Sequence, residues 1–72
     1  MELLIGKRYS TLNELKEDIE KITNKIIGSI IISDSDIICD NMIDYYFIND
    51  EFDIKTLWFL YDNNGCFYIT EV

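Results

Sequence analysis

One stretch decides the fold of this chain, KTLWFLYDNNGCFYITEV at residues 55–72. Two runs rich in aromatic and β-branched residues flank the dipeptide Asn64-Gly65. Asn-Gly is favoured in tight hairpin turns because both residues adopt positive φ angles at little cost. The stretch therefore predicts a C-terminal β-hairpin. Because an isolated hairpin is only marginally stable in water, the rest of the chain must supply strands and a helix that pack on it.

Two turn lengths are open for this hairpin, and each places different side chains on a given face. We favour a two-residue turn at Asn64-Gly65, because it continues one face of the first run into the second and builds a single core. The side chains of that predicted core face are Phe52, Ile54, Trp58, Leu60, Phe67 and Ile69. A three-residue turn with a bulge at Gly65 would exchange the cross-strand partners.

Both faces of the hairpin carry large apolar side chains, whereas a single helix covers only one face of a small sheet. The other face is expected to stay exposed, and contiguous exposed apolar area usually marks a contact surface. The side chains predicted for this apolar interaction face are Leu57, Phe59, Tyr61 and Tyr68. The alternative is that the N-terminal segment or residues 37–42 cover it.

An amphipathic helix is predicted from about residue 11 to residue 26. Thr11 and Glu14 have the spacing of a capping box, in which both side chains bind free amides of the first turn. Apolar residues then recur at steps of three and four, which places them on one stripe of the helix. These residues are Leu12, Leu15, Ile19, Ile22 and Ile26. We expect Gly28 to end the helix.

Four further segments lie between residues 3 and 42. The apolar run Leu3-Leu4-Ile5 predicts a first strand, and the β-branched run 29–33 predicts a buried strand. Residues 34–36 are expected to form a turn. Residues 37–42 fit either an edge strand or one helical turn.

Residues 43–48 alternate in a way that predicts another strand. One face of it carries Ile43, Tyr45 and Phe47, and the other carries Asp44, Tyr46 and Ile48. Together these elements predict a single α+β domain spanning residues 1–72. Its one helix packs on a small, mainly antiparallel sheet, and the order along the chain is β-α-β-β-β-β.

Charge is distributed unevenly along the chain, whose formal net charge is −8. Residues 1–33 contain five acids and five bases and sum to zero, whereas residues 34–72 contain nine acids and one base, Lys55. Such a field repels nucleic acid and anionic membranes and attracts basic proteins. We therefore expect a protein partner with a basic surface, and no direct binding of nucleic acid or membrane.

The composition also argues against an enzyme. The chain has no histidine, which excludes Ser-His and Cys-His pairs and histidine metal ligands. It contains no GxxxxGKS, GxxxxGKT or GxGxxG loop. The two cysteines, Cys39 and Cys66, lack the spacing of a zinc site, and the loop that begins at Asp34 lacks the glycine and glutamate of an EF-hand. We predict a non-enzymatic protein with no catalytic residues, no metal ligands and no cofactor.

Nothing in the sequence predicts export. The apolar part of the N-terminal segment is too short for a signal peptide, and no apolar run reaches the roughly 18 residues of a membrane span. We expect a cytoplasmic protein whose cysteines stay reduced.

The predicted acidic interaction site lies between residues 34 and 53. It consists of Asp34, Asp36, Asp40, Asp44, Asp50, Glu51 and Asp53. If these carboxylates share one surface, they imitate a row of phosphates and occupy the nucleic-acid-binding surface of another protein. Anti-restriction and anti-CRISPR inhibitors of phages and mobile elements have a similar length and charge, and the analogy rests on those bulk features alone. The alternative is a homodimer, or an immunity or adaptor module, that uses the exposed aromatic face.

Overall fold

A computed structural model describes the backbone of residues 2–34 and 41–72 and the side chains of residues 3–33 and 41–72. Within these ranges the chain forms a short 3₁₀ helix, one α-helix and five strands. In chain order they are the 3₁₀ helix Glu2–Leu4, β1 (Arg8–Tyr9), α1 (Leu12–Thr23), β2 (Ile27–Asp34), β3 (Asn41–Phe47), β4 (Lys55–Tyr61) and β5 (Phe67–Glu71). The strands form one antiparallel sheet in the order β1-β5-β4-β3-β2. The predicted α+β fold and its element order are confirmed.

The helix begins at the predicted cap. The backbone N–H of Glu14 donates to Thr11 Oγ1 at 3.3 Å. The Glu14 carboxylate reaches one residue further back than a standard capping box and accepts the backbone N–H of Ser10 at 2.8 Å. This bond, followed by the bond from the Ser10 hydroxyl, lowers the pKa of the Glu14 carboxyl. Two free amides at the start of the helix are thereby satisfied.

The helix ends earlier than predicted, and Gly28 is not the reason. Asn24 adopts a left-handed conformation (φ 56°), and its N–H donates to the carbonyl of Glu20. Gly28 instead lies in β2, beside a bulge. A Cβ atom at position 28 would lie 3.0 Å from the ring of Tyr46 and 3.3 Å from the side chain of Ile48. Glycine at this position therefore permits close packing of Tyr46 and Ile48 and does not terminate the helix.

The predicted first strand at Leu3-Leu4-Ile5 is wrong. Leu4 ends the 3₁₀ helix and is fully buried, while Ile5 forms only an isolated bridge to Ile69. Gly6, with a φ of 84°, then turns the chain into β1. The first strand is therefore β1, which pairs with β5. The apolar run is explained by the burial of one leucine and not by a ladder of strand hydrogen bonds.

The hydrophobic core lies between α1 and one face of the sheet. Its buried members are Leu4, Tyr9, Leu15, Ile19, Ile27, Ile43, Tyr45, Phe47, Leu57, Phe59, Phe67 and Ile69. The predicted alternation of Ile43, Tyr45 and Phe47 is confirmed. Ile22 and Ile26, at the end of the predicted helical stripe, are exposed.

The C-terminal hairpin is confirmed, but its favoured register is wrong. Phe59 pairs with Ile69 and Tyr61 with Phe67, so residues 63–65 form a three-residue turn with Gly65 at a φ of 85°. The cause is the side chain of Asp62, whose Oδ1 accepts the backbone N–H groups of residues 64 and 66 at 2.8 and 3.0 Å. The longer turn exchanges the two faces of β4.

Four residues of the predicted core face lie outside the core. Trp58 and Leu60 are half-buried on the face opposite the helix. Ile54 and Phe52 are exposed. Only Phe67 and Ile69 of that predicted set lie in the core.

The strand predicted at residues 29–33 is confirmed as part of β2, but it is not buried. β2 is one of the two edge strands of the sheet, and Ile31 and Ile32 are exposed. Residues 35–40 lie outside the described residues, and with them most of the predicted turn at 34–36 and of the segment 37–42. Asn41 and Met42, the last two residues of that segment, begin β3.

A hydrogen bond and an ion pair connect β1 and the residue before it to the helix, and together they form a small polar network. Tyr9 Oη donates a hydrogen bond to Asp18 Oδ2 at 2.8 Å, and Lys7 Nζ lies 3.1 Å from the same oxygen. Burial and then the bond to Asp18 raise the pKa of the Tyr9 phenol well above 10.0. The bonds from Tyr9 and then Lys7 lower the pKa of the Asp18 carboxyl below 3.8.

Tyr9→Phe is expected to flatten the pH dependence of stability at both ends. A raised phenol pKa stabilises the fold below pH 10, and this contribution is lost as the pH rises further. A lowered carboxyl pKa stabilises the fold above about pH 4, and this contribution is lost in acid. Urea midpoints measured from pH 3 to pH 11 check both limbs. Tyr61→Phe, at an exposed tyrosine, should follow the wild-type profile. Because burial alone also raises the phenol pKa, the acid limb tests the network, and an unchanged acid limb in Tyr9→Phe would mean that the bond to Asp18 contributes nothing.

Candidate functional site

The sheet has a second face, opposite α1, which we call the open face. Side chains alternate along each strand, and none of the described side chains on this face is buried. Its apolar and aromatic members are Ile31, Met42, Tyr46, Ile54, Trp58, Leu60 and Tyr68. An exposed apolar face of this kind was predicted for the hairpin, and the structure shows which residues form it.

The predicted membership of that face is mostly wrong. Leu57 and Phe59 are buried beneath the helix, so neither side chain is accessible to a binding partner in the folded chain. Tyr61 is exposed, but it lies on the helix side, where its ring packs edge-on against Phe59 at 5.3 Å. Tyr68 lies on the open face, with the guanidinium of Arg8 5.9 Å from its ring. The exchanged register of the hairpin accounts for the placement of Leu57, Phe59 and Tyr61, whereas Tyr68 lies on the face predicted for it.

A pocket of about 290 Å³ lies at the β2–β3 side of the open face. It is lined by Ser29, Ile31, Asp44, Tyr45, Tyr46 and Ile54. Asp44 supplies a carboxylate among mainly apolar walls, and one of its oxygens accepts the hydroxyl of Thr56 at 2.8 Å. A lysine or arginine side chain fits this chemistry, because its stem is apolar and its head is cationic.

The loop between β3 and β4, residues 48–54, is the second part of the site, and we call it the acidic loop. Two backbone bonds shape it, from Asp50 N to Phe47 O and from Asp53 N to Asp50 O, both 3.1 Å. Phe52 is fully exposed, with a relative accessibility of 101%. Asp50, Glu51 and Asp53 are exposed around it. The loop thus presents an aromatic ring surrounded by carboxylates.

The structure brings together only part of the predicted acidic site. Asp50, Glu51 and Asp53 lie in the acidic loop, whereas Asp44 lies in the middle of β3 on the open face. The backbone of Asp34 pairs with Asn41 at the far end of β3, roughly 20 Å along a seven-residue strand from the acidic loop. The side chain of Asp34 and all of Asp36 and Asp40 lie outside the described residues.

The acidic residues differ in whether they already form ion pairs within the chain. Asp62 binds Arg8 at 3.2 Å in addition to its turn amides. Asp53 binds Lys55 at 3.0 Å, and this bond raises the pKa of the lysine. Asp50 and Glu51 form no ion pair with any described residue. Their charges are therefore free to attract a partner.

Sequence reasoning missed Phe52 as a surface residue. A signal for its exposure was present, since Phe52 is flanked by Asp50, Glu51 and Asp53, and charged residues are almost never fully buried without a partner. A large apolar residue in a turn whose neighbouring residues are acidic is therefore expected to be exposed.

Comparison of the chain with known protein families, with curated proteins and with solved structures finds no match. Within residues 2–34 and 41–72, no helix is long and apolar enough to cross a membrane. The same part of the chain contains no group of three or more acidic or cysteine side chains placed to hold a metal ion. The fold and site define a small α+β domain with an uncovered sheet face and an exposed aromatic loop.

Proposed function

We propose that this chain is a non-enzymatic protein-binding protein that docks through the acidic loop. The observation that carries the proposal is the complete exposure of Phe52. Burying a phenylalanine side chain contributes about 1.5–3 kcal/mol, and the fold leaves this contribution unused. Aromatic residues are enriched at protein interfaces, where a few well-buried anchors supply most of the binding energy.

The charge around Phe52 specifies the chemistry of the partner. Asp50 and Glu51 are unpaired among the described residues, and residues 34–72 carry nine acids against one base. Complementary charge accelerates the encounter of two proteins and rejects partners of the same sign. The partner is a protein with an apolar pocket rimmed by lysine and arginine. The open face lies beside the loop, and Asp44 offers a site for one such basic side chain.

A narrower version of this proposal concerns inhibition of a nucleic-acid-handling enzyme. The exposed carboxylates of the acidic loop and the net charge of −8 favour a partner surface that otherwise binds nucleic acid. The chain would then act as a nucleic-acid mimic in the cytoplasm, in the manner of phage anti-restriction and anti-CRISPR inhibitors. The alternative is a homodimeric, immunity or adaptor module that uses the open face, and the uncovered Trp58 and Leu60 are what favour it.

Salt and competition separate these versions. For a mimic, the affinity for the partner is expected to fall steeply between 50 and roughly 500 mM salt, because exposed charges are screened within about 10 Å at 0.1 M. A duplex oligonucleotide that binds the partner should displace the chain. Affinity that is unchanged at half-molar salt, with no displacement by the duplex, would rule out the mimic.

The proposal is tested by crosslinking from position 52. We expect Phe52→p-benzoylphenylalanine, produced in the source cell and irradiated, to capture one protein with a basic surface. The matched control carries the same group at Leu3, which is 75% exposed and outside the acidic loop. Equal capture from both positions, or capture only from position 3, would contradict docking through the acidic loop.

A further inference from the structure

The outer edge of β2 has the chemistry of a strand-pairing surface. β2 is an edge strand of eight residues, and its run 27–33 contains neither a charge nor a proline, the usual devices that keep edges from pairing. The backbone N–H of Ile27 is already bound by the Glu20 carboxylate at 2.8 Å. The edge available for pairing therefore begins after Gly28, and it includes the exposed Ile31 and Ile32.

The sequence of this edge is a palindrome. Residues 29–33 read Ser-Ile-Ile-Ile-Ser in both directions. When two such strands pair antiparallel about Ile31, each Ile31 faces its own copy and Ile30 faces Ile32. Each Ser29 then faces a Ser33. Like side chains meet throughout, and cross-strand pairs of β-branched residues stabilise a sheet. A two-fold axis is the symmetry that such self-complementary surfaces require.

The placement of charge also suits a second copy at this edge. Residues 1–33, which include nearly all of β2, have no net charge. The acidic loop begins at the Ile27 end of β2, where Ile48 N donates to Ile26 O at 2.9 Å. Antiparallel pairing puts the two Ile27 ends at opposite ends of the joint. The two acidic loops are thereby kept apart, and both open faces lie on the same side of the combined sheet.

We propose that two copies of this chain associate through their β2 edges, antiparallel and centred on Ile31, to form one continuous sheet. This surface is distinct from the acidic loop and does not depend on the function proposed for it. The dimer presents two Phe52 anchors, one at each end of the joint. Because both copies are acidic overall, added salt should strengthen the dimer, whereas it weakens binding to a basic partner.

Sedimentation equilibrium of charge-exchanged variants tests the proposal. The wild-type chain is expected at twice its mass of 8.5 kDa. Ile31→Lys and Ile31→Glu, each alone, are expected at the single mass, because like charges directly opposite each other oppose pairing. An equimolar mixture of the two should recover the double mass, since position 31 faces itself. Ile54→Lys is the matched control, because Ile54 and Ile31 are both 55% exposed but Ile54 is not on the edge.

Several outcomes would overturn the proposal. They are a monomeric wild-type chain at millimolar concentration, a dimer that survives Ile31→Lys, and a mixture that stays monomeric while both variants are folded by circular dichroism. If either variant unfolds, hydrogen exchange of the wild-type chain decides the matter. Amides of residues 29–33 should become at least tenfold more protected as the concentration rises through the dimerisation range, and concentration-independent exchange would refute the edge dimer.

Discussion

Leu57→Ala is expected to lower the free energy of unfolding by about 2–5 kcal/mol, whereas Leu60→Ala should lower it by about 1 kcal/mol or less. The two leucines lie three positions apart in β4, on opposite faces of the sheet. Leu57 is 2% exposed and belongs to the core beneath α1, whereas Leu60 is half-buried on the open face. Truncating Leu57 leaves a cavity among packed side chains, while solvent fills the space vacated at Leu60.

This pair of variants is an internal control, since the residue type, the strand and the substitution are the same. Urea unfolding followed by tryptophan fluorescence measures both free energies. Small domains are stable by only about 5–15 kcal/mol, so Leu57→Ala is also expected to lower the melting temperature by many degrees. A larger loss for Leu60→Ala than for Leu57→Ala would mean that the hairpin adopts the two-residue turn.

Phe52→Ala is expected to weaken binding of the crosslinked partner by about 30-fold or more, which corresponds to about 2 kcal/mol for an interface anchor. The substitution should have little effect on the stability of the fold. Phe52 is fully exposed, so the free energy of unfolding is expected to stay within about 0.5 kcal/mol of the wild-type value. Titration calorimetry with the purified partner and urea unfolding of the variant measure the two quantities separately.

Two further variants assign the remaining contributions to binding. Neutralising Asp50 and Glu51 as amides should slow association and reduce its salt dependence with little effect on dissociation. Tyr68→Glu, on the open face, should leave docking through the acidic loop nearly intact. If Tyr68→Glu abolishes binding and Phe52→Ala does not, the open face and not the acidic loop is the binding surface.

Local sequence rules predicted local structure well. The Thr11 cap, the alternation along β3 and the C-terminal hairpin all depend on residues close together in the chain. Each of these features has a hydrogen-bond or packing signature that extends over a few positions. The element order followed from the positions of these local signals along the chain.

Sequence rules missed the turn length of the hairpin and the burial of Leu4. The sequence is compatible with both turn lengths of the hairpin, and the bonds that Asp62 makes to the turn amides favour the longer one. A single-residue shift of this kind exchanges every side chain between the faces. Leu4 is buried without a strand because the core offers it a site, and no periodicity in a three-residue run reveals that.

The candidate site was predicted in outline and misassigned in detail. An exposed apolar face and a group of exposed acids were both expected, and both exist. Because the predicted register was wrong, Leu57 and Phe59 were expected on the exposed face but lie in the core. Trp58 and Leu60 were expected in the core but lie on the open face. Phe52 was missed because apolar residues were assigned to the core by alternation alone, without weight for the acids beside it.

The position of β5 has a consequence for the synthesis of this chain. β5 lies between β1 and β4, and it pairs Tyr68 with Arg8, sixty positions earlier. It also supplies Phe67 and Ile69 to the core, yet it leaves the ribosome after every other described strand. Closing so long a loop is slow and costs entropy. The sheet of the nascent chain therefore stays incomplete until translation has passed β5.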